Sequence, residues 1–518
     1  MKKRNILIAA ALASCFAIES CVKDLDVEPL TPSVVTSANA WNNDTAAECF
    51  LAKIYSAFSI NGQDGAGNSS ANDIIGADQG EATFTRSYWN LEELTTDEAK
   101  CSWGDEALNG LNYCNWGPTN RFIMLNYDRL YVNIAFCNEF LHSTSESDAK
   151  MQEYRAEVRV LRAFSYYILT NFYGNIPYTD ENSGIGAYLP EQKGRSFFFP
   201  WIESELKDVI ASNHLPEKST ANYGKVNKYV AEMILANLYI NAEVFGMGDH
   251  YNDAATVLAD IIDNGGYVLE SNYQHNFNAD NYLSTEIIFP IIFDGLYAQC
   301  YGGTTFMIGS ALGKDMGALA NFGLAQDWEG NRATQDLSDL FEPGDTRALF
   351  YTEDRTKEMT DNTSYKSGWS VVKFTNLNRD GSAGSNSTFA DTDFPFYRLA
   401  DAYLLYVEAT LKGAGDPVKA VNLYNQIQER AFGNKSHNIG SLTEIDADRL
   451  LDERARELYW EGHRRTDLIR FGKFLTKSWA WKGGNASGIN SIDSKYTLFP
   501  LPSTDVSANS NLKQNEGF

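Results

Sequence analysis

Apolar residues recur every three or four positions through much of the chain, and this spacing is typical of helices with one buried face. The pattern begins at Ala46 and continues through Phe50, Ile54, Tyr55 and Phe58. Further along, the helical segments come in pairs. We predict helices over 126–141 and 151–173, over 228–245 and 252–264, over 396–412 and 417–432, and a last long helix over 446–471.

Glycines mark the ends of several predicted helices. The helix over 151–173 stops at Gly174, with Pro177 just beyond, which is a normal helix end. Gly413 and Gly415 separate the two helices of the third pair. Each pair has roughly the length of a tetratricopeptide unit. An irregular helical bundle fits the same periodicity, so the pairs alone leave both architectures open.

Two blocks of different composition, 62–120 and 275–395, interrupt the helical pattern. They are rich in Gly, Asn, Asp and aromatic residues, and long loops of this kind are usually functional or flexible. We therefore expect a helical scaffold that carries two large loop-rich insertions. The aromatic residues of these blocks include Trp89, Trp103, Trp116, Tyr297, Tyr301, Trp328 and Trp369.

Aromatic rings among polar loop residues are typical of carbohydrate sites. A sugar ring has an apolar C–H face that stacks on an aromatic ring, and its hydroxyls pair with Asn, Asp or Arg. Ligand pockets combine apolar walls with a few placed polar groups in this way. For any single aromatic residue a place in the core is the simpler interpretation, but among seven we expect one or two to contact ligand.

The N-terminus has the pattern of a secretory signal. Basic residues at 2–4 precede a short apolar run over 6–18, and this run is shorter than the ~20 residues of a membrane-spanning helix. We predict lipidation at Cys21, because a polar, acidic tether follows it. Cys15 is the second candidate, and a plain secreted protein is the third interpretation. The predicted parts are a signal peptide over 1–20, a lipid-anchored tether over 21–40 and one domain over 41–518.

The net charge of -25 argues against nucleic acid, whose phosphates require a basic face. It favours a neutral ligand over a strongly anionic one. The seven cysteines include no C-x-x-C pair, so no metal knuckle or redox motif is present in the sequence. Cys101 and Cys114 flank a short segment and fit either a disulfide or two buried free thiols. Their sparse spacing favours the free thiols.

Signatures of catalysis are absent from the sequence. There is no G-x-S-x-G, no H-E-x-x-H and no phosphate-binding loop. A glycosidase needs two carboxylates, and the nearest candidates are Asp97 with Glu98 and Asp391 with Asp393, which we interpret as solvated loop acids. The loop over 380–393 offers oxygen ligands for Ca²⁺ but lacks the alternating acids of an EF-hand. We predict no cofactor, with Ca²⁺ as the alternative.

The densest charge cluster runs over 453–470 within the last predicted helix. Glu461 and Arg465 are i, i+4 neighbours, and an exposed pair of this orientation contributes ~0.3–0.5 kcal/mol. Leu458 and Leu468 belong to the apolar stripe of the same segment. We interpret the helix as structural rather than as a binding site.

At this helix the sequence becomes similar to a known family. The run over 453–473, which ends in DLIRFGK, resembles the signature near the C-terminus of the SusD/RagB family. Other family-like stretches occur in the same order and cover nearly the whole chain. They are LTTDEA at 94–99, AEVRVLRAF at 156–164, YGNIP at 173–177, YRLADAYLLY at 397–406 and FPLP at 499–502.

The resemblance implies a fold class, a location and a partner. The fold is all-α dominated, with four tetratricopeptide-like helix pairs supporting a loop-rich ligand face and few short strands. The protein is expected to be a lipoprotein on the outer face of the outer membrane that binds oligosaccharide without cleaving it. Its expected partner is a SusC-like TonB-dependent barrel, over which it sits as a lid.

The resemblance also points to ligand contacts. The stretch over 115–120 is similar to the site of a stacking Trp and a nearby amide in starch-binding relatives, and the segment before 334–337 resembles a second contributor. Trp103 is added from its place in a polar loop. The predicted contacts are Trp116, Asn120, Trp103, Tyr297, Tyr301 and Trp328. A surface glycoside hydrolase and a scaffold that binds peptide or protein are the competing functions.

Overall fold

Helices dominate the part of the chain that the computed structural model describes, which is 44–63, 65–67, 72–183 and 188–518. The predicted signal peptide over 1–20 and the whole predicted tether over 21–40, with Cys21, lie outside these residues. The first helices are α1 (Asp44–Ser56), α2 (Phe84–Glu93), α3 (Glu106–Asn112), α4 (Arg121–Ser143), α5 (Ala149–Tyr173), α6 (Arg195–Ser212), α7 (Lys228–Ile240) and α8 (Tyr251–Asn264). The later ones are α9 (Thr304–Ala311), α10 (Ala318–Phe322), α11 (Gln335–Ser338), α12 (Leu399–Leu411), α13 (Pro417–Phe432), α14 (Ala447–Leu458), α15 (Arg464–Arg470) and α16 (Ser503–Ala508).

The scaffold is a series of helices in which each packs against the next. Helices α4 to α8 follow one another in this way, and α8 then packs against α12 and α12 against α13. The series therefore continues across the insertion over 275–395. Polar caps explain where several helices begin: the Asp148 side chain accepts from the N–H of Met151 at the start of α5, and Asp416 accepts from Val418 at the start of α13.

The strands are short and pair in twos. They are β1 (Ala99–Cys101), β2 (Ile176–Pro177), β3 (Gln192–Lys193), β4 (Ile287–Ile291), β5 (Asn331–Ala333), β6 (Phe350–Tyr351), β7 (Ser370–Val371) and β8 (Phe394–Arg398). The antiparallel pairs are β1–β5, β2–β3, β4–β8 and β6–β7. The predicted fold class, helical with few short strands, is confirmed.

Strands β4 and β8 form the base of the second insertion. The chain enters it near β4 and returns through β8, and the two strands pair with Ile287 opposite Arg398 and Ile291 opposite Phe394. The prediction of a helix from 396 was therefore wrong at its start, because α12 begins at Leu399. Periodicity does not separate a short apolar run in a buried strand from one in a helix.

The two insertions are more ordered than their composition predicts. The block over 62–120 contains α2, α3 and β1, and the block over 275–395 contains α9 to α11 and β4 to β8. Strand β1 of the first pairs with β5 of the second, with Ala99 opposite Ala333 and Cys101 opposite Asn331. This pairing joins two segments that are more than 200 positions apart in the sequence.

The last long helix, predicted over 446–471, is broken into α14 and α15. The break contains two residues with left-handed backbone, Trp460 at φ 65° and Gly462 at φ 80°. A Cβ on Gly462 would lie 2.5 Å from a ring atom of Tyr88, so the close approach of α2 requires glycine here. The turn places Trp460 in the core, where its carbonyl accepts from the indole N–H of Trp89 at 3.1 Å.

Glu453, Glu457 and Glu461 are buried, and the predicted i, i+4 ion pair of Glu461 with Arg465 does not form. Glu461 pairs with Lys373 at 2.7 Å and with Arg398 at 2.6 Å. Arg465 donates instead to the backbone carbonyls of Tyr496 and Thr497. The interpretation of this segment as structural agrees with its burial.

Glu457 is the centre of this buried network. It pairs with Arg398 at 2.5 Å, with Arg347 at 3.1 Å and also with Arg430. Burial alone would raise the pKa of Glu457, but the charges of Arg430, Arg398 and Arg347 outweigh it and hold the pKa well below its ordinary value. Asp345 pairs with Arg347 at 2.7 Å and extends the network into the second insertion.

The residues Cys49–Phe518 form one compact unit. Cys101 and Cys114 within it are buried free thiols, and burial raises the pKa of each to about 11. No helix among the described residues is both long and apolar enough to cross a membrane.

Arg398→Met is expected to destabilise the protein by about 3–5 kcal/mol, because it removes one positive charge from a buried network and leaves more negative than positive charge around it. Arg398 pairs with Glu286, Glu457 and Glu461, all buried. Urea unfolding followed by circular dichroism measures the change. The matched control is Lys207→Met, which removes a surface pair with Glu203 and is expected to change stability by less than about 0.5 kcal/mol. Equal effects of the two variants would contradict a structural role for the buried network.

Candidate functional site: an aromatic cleft between the two insertions

A cleft of about 300 Å³ lies where the two insertions meet, and we call it the aromatic cleft. Three of the six predicted contacts line it, and each is partly exposed. Its walls are formed by Trp103, Tyr301, Trp328, Arg86, Asp78, Gln79, Gly80 and Gly67. The structure thus brings together residues from 67–103 and from 301–328, which the sequence alone only placed in two separate blocks.

The β1–β5 pairing holds the two tryptophans of the cleft. After β1, the N–H of Ser102 donates to the carbonyl of Gly330 at 2.9 Å. The indole N–H of Trp103 donates to the carbonyl of Trp328 at 3.0 Å. The indole N–H of Trp328 donates to Oε1 of Gln326 at 2.8 Å. Both indole donors are therefore used within the protein, and both rings are partly exposed.

Gly330 is the residue that lets the Trp103 ring approach the turn before β5. A Cβ at this position would lie 2.6 Å from Cε2 of Trp103, which is closer than real contacts allow. Glu329, just before it, has left-handed backbone at φ 54°. The turn that presents Trp328 therefore depends on one strained residue and one glycine.

Tyr301 forms the third aromatic wall. Its ring centroid lies 6.2 Å from that of Trp328 and 4.9 Å from that of Phe389. A Cβ on Gly80 would lie 3.1 Å from Cβ of Tyr301, so the first insertion passes close beneath this ring. The three rings come from three loops that only tertiary packing brings together.

Arg86, Asp78 and Gln79 are the polar groups of the cleft, and the sequence analysis did not single them out. Arg86 lies on α2, and its guanidinium is 4.5 Å from the ring centroid of Phe306. Its closest carboxylate oxygen, on Glu81, is 3.8 Å away, and its Nε has no hydrogen-bond partner among the described residues. Burial lowers the pKa of Arg86 from its ordinary value. The sequence signal that could have identified Arg86 is an arginine inside an aromatic helical segment, here 84–89.

Asp78 and Gln79 are held by the backbone of the same loop. Oδ1 of Asp78 accepts from the N–H groups of Gly80 and Glu81, both at 3.0 Å. Gln79 is buried, and its Oε1 accepts from the N–H of Gly67 at 3.4 Å. The cleft thus joins three aromatic faces to a guanidinium, a carboxylate and an amide.

The other predicted contacts lie elsewhere. Trp116 is 3% exposed and packs in the core, with its ring centroid 4.9 Å from those of Tyr496 and Phe499. Stacking on a sugar requires an exposed ring face, which Trp116 lacks in this arrangement. Asn120 caps α4: its Oδ1 accepts from Phe122 and Ile123, and its amide donates to the Ala107 carbonyl.

Trp116 and Asn120 line a different, more polar depression of about 540 Å³ beside α3. Tyr297 is 89% exposed and is not part of the wall of the aromatic cleft. Two other aromatic residues of the loop-rich blocks pack against the protein interior. Trp89 is fully buried, and Trp369 packs with its centroid 5.9 Å from that of Phe350.

Three of the four candidate acids are buried, so the interpretation as solvated loop acids was wrong for them, whereas Asp391 is partly exposed. Asp97 is buried and pairs with Arg464 at 2.7 Å, and Glu98 is buried, which raises its pKa to about 7. Asp393 accepts from the Tyr223 hydroxyl at 2.7 Å, and burial raises its pKa to about 7. Oδ1 of Asp391 accepts from the N–H of Gly295. In the described part of the chain, no group of three or more His, Cys, Asp and Glu residues is placed to hold a metal ion.

A series of stacked helices that carries a loop-built aromatic cleft defines a helical-repeat protein with a pocket on its insertions. Family models match both halves of the chain: one described as "SusD family" matches residues 325–518, and one described as "Starch-binding associating with outer membrane" matches residues 44–240. The chain is 32% identical to the starch-binding protein SusD of Bacteroides thetaiotaomicron, over 100% of both chains. The chain therefore belongs to the SusD family, as the sequence predicted.

More distant relatives and solved structures agree with this assignment. SusD-like protein P25 of Formosa agariphila is 26% identical, over 67% of this chain and 69% of its own. Surface glycan-binding protein A from Bacteroides fluxus superposes with a TM-score of 0.71 at 20% identity, over 92% of this chain and 100% of that one. Surface glycan-binding protein A from Bacteroides thetaiotaomicron, in complex with laminarihexaose, gives 0.69 at 20% identity, over 91% and 99%. At these identities the solved structures show the shared fold.

Trp116→Ala is expected to lower the free energy of unfolding by about 3–5 kcal/mol, because it empties a large space in the core. Urea unfolding measures this change. The matched variant is Trp328→Ala, which removes a partly exposed ring and is expected to cost less. A Trp116→Ala protein of unchanged stability that no longer binds glycan would instead show that Trp116 contacts the ligand.

Proposed function

We propose that the protein binds oligosaccharides at the aromatic cleft and does not cleave them. The arrangement of Trp103, Tyr301 and Trp328 around one cleft is the observation that carries this proposal. Sugar rings stack their C–H faces on exposed aromatic rings. The hydroxyl groups then pair with Arg86 and Asp78, so that the cleft combines apolar walls with a few placed polar groups.

The Arg86 guanidinium is the strongest hydrogen-bond donor of the proposed site. Its nearest carboxylate oxygen among the described residues, on Glu81, lies 3.8 Å from Nη2, so the terminal N–H groups are the ones that can donate to ligand oxygens. The aromatic faces around it keep it partly desolvated, which strengthens such hydrogen bonds. The names of relatives support a glycan as the ligand: one is called a starch-binding protein, and one was solved with laminarihexaose.

Binding without hydrolysis is supported by the carboxylates of the cleft. Glycosidases use two carboxyl groups on either side of the scissile bond. Among the described residues that line the cleft, Asp78 is the one carboxylate. Asp97 and Glu98 are buried beneath β1 and are not among the residues that line the cleft.

We place the protein on the outer-membrane surface, anchored by a lipid on Cys21, where it delivers glycan to a SusC-like TonB-dependent barrel as its lid. The signal-like N-terminus and the acidic tether after Cys21 support the anchor. The family description "associating with outer membrane" supports the location. The partnership with the barrel is what membership in the family implies.

Trp328→Ala and Tyr301→Ala are each expected to weaken binding to a retained polysaccharide about tenfold or more, since ~1.4 kcal/mol of lost stacking corresponds to a factor of ten in Kd. Affinity electrophoresis against a panel of α- and β-glucans and other neutral glycans measures this and identifies the preferred ligand. The matched control is Trp369→Ala, a partly exposed tryptophan outside the cleft, which is expected to keep full retention.

The same panel tests for cleavage. Prolonged incubation of the wild-type protein with each retained glycan is expected to release no reducing ends above a protein-free control. Release that disappears in Asp78→Asn would establish a hydrolase and overturn the binding-only proposal. Unchanged retention in both cleft variants would move the binding site elsewhere.

Cys21→Ala is expected to abolish metabolic labelling with an alkyne fatty acid and to move the protein out of the membrane fraction. Cys15→Ala is the matched control and is expected to keep the label, whereas the reverse pattern would place the anchor on Cys15. Affinity purification of the labelled protein from cross-linked outer membranes is expected to recover a TonB-dependent barrel. Recovery of the protein without one, under conditions that preserve other membrane complexes, would count against the lid role.

A further inference from the structure

A second depression, of about 510 Å³, lies beside α4 and shares no lining residue with the aromatic cleft. We call it the acidic groove. Tyr127, Asp128 and Tyr131 of α4 form one wall, and Asp505 and Leu512 of the C-terminal segment form the opposite wall. Most of the remaining surface is apolar, with Val132, Leu189 and Pro190 among its residues.

The charges of the acidic groove are not balanced within it. Asp73 at its edge is already paired, with Lys53 at 2.7 Å and with Arg129 at 3.0 Å. Asp128 and Asp505 have no ion-pair partner within the described part of the chain, and none of the described residues that line the groove is a Lys, Arg or His. Two carboxylates therefore face a largely apolar space without a counter-charge.

The surroundings of Asp128 and Asp505 penalise their charged forms. Burial and, second to it, the charge of Asp505 raise the pKa of Asp128 to about 6, and burial raises the pKa of Asp505. A folded-state pKa above the unfolded value means that this site costs stability as the pH rises through about 6. Charged residues that lower the stability of the folded protein are typical of binding sites, where function requires them.

The Tyr127 hydroxyl is a further unused polar group at the acidic groove. Tyr127 is 2% exposed and lines the groove, and its buried hydroxyl has no hydrogen-bond partner among the described residues. A buried polar group without a partner costs free energy unless a bound group satisfies it. The neighbouring Tyr131 hydroxyl, by contrast, donates to the Pro177 carbonyl at 2.7 Å.

Exposed apolar side chains flank the acidic groove. Ile75, next to the lining residue Ile74, is 97% exposed, and Tyr188 and Leu189 are 45% and 43% exposed. Exposed apolar residues that surround a polar centre mark protein contact surfaces. A small inorganic cation would use the carboxylates but gain nothing from this rim.

We propose that the acidic groove is a docking site for a protein partner that inserts an Arg or Lys side chain between Asp128 and Asp505. The aliphatic part of such a side chain packs against the apolar walls while its charged end meets the carboxylates. The rim residues then contact apolar side chains that flank the basic one. This proposal does not depend on the aromatic cleft.

Two tripeptides with capped termini test the proposed docking site. One is acetyl-Leu-Arg-Leu-amide, and the other carries citrulline, the neutral isostere of arginine, in place of the arginine. Titration calorimetry at pH 7.5 with the whole protein is expected to give a Kd at least tenfold lower for the arginine peptide. Asp128→Asn and Asp505→Asn are each expected to raise that Kd at least fivefold. The control variant Glu358→Gln removes an exposed carboxylate of another loop and is expected to leave the Kd unchanged.

Several results would overturn the proposal. The first is equal affinity for the two peptides, and the second is binding of the arginine peptide that survives both substitutions. The third is binding of CaCl₂ that depends on Asp128 while neither peptide binds, which would make the groove a metal site. Asp128→Asn is expected to keep or raise the Tm, because it removes an unbalanced charge, and a fall of several degrees would show a structural role instead. Glycan retention is expected to stay at the wild-type level in both variants, which separates this result from the fate of the proposed glycan site.

Discussion

Burial of charge around Glu457 is the constraint on which the rest of the structure depends. A buried carboxylate is tolerated only when cations and hydrogen bonds surround it, and Glu457 meets this condition through Arg347, Arg398 and Arg430. These three arginines come from the second insertion, from β8 and from α13. One carboxylate therefore fixes the insertion, its base and the scaffold to α14. Such a network specifies a single arrangement, because any other one leaves a charge unpaired.

The aromatic cleft inherits its geometry from this network. The turn after α14 carries Gly462, whose carbonyl accepts from the Tyr88 hydroxyl at 2.7 Å and whose N–H donates to Glu93 at 2.7 Å. Both partners lie on α2, the helix that presents Arg86. On the other side, the second insertion is held by Arg347 and carries Trp328 and Tyr301. Hydrogen bonds and ion pairs therefore hold the segments on both sides of the cleft, and a preorganised site loses less entropy on binding.

The two proposed binding surfaces differ in the chemistry they offer. The aromatic cleft has a cation, Arg86, among ring faces, which suits neutral hydroxyl-rich ligands. The acidic groove has two unpaired carboxylates among apolar side chains, which suits a basic side chain of a protein. They share no lining residue, so one chain has room for glycan and for a protein partner at the same time.

The sequence by itself determined the helical scaffold, because apolar spacing, caps such as Asp416 and stops such as Gly174 act over a few residues. It also determined the family, since short motifs in the same order extend over nearly the whole chain. It did not separate Trp328 and Trp103, which line the cleft, from Trp116, which is buried: loop composition is the same around all three. It predicted an ion pair between Glu461 and Arg465, because i, i+4 spacing does not show which other partners tertiary packing supplies. Only the tertiary structure decided these points, since the β1–β5 pairing and the break at Trp460 to Gly462 arise from contacts hundreds of residues apart.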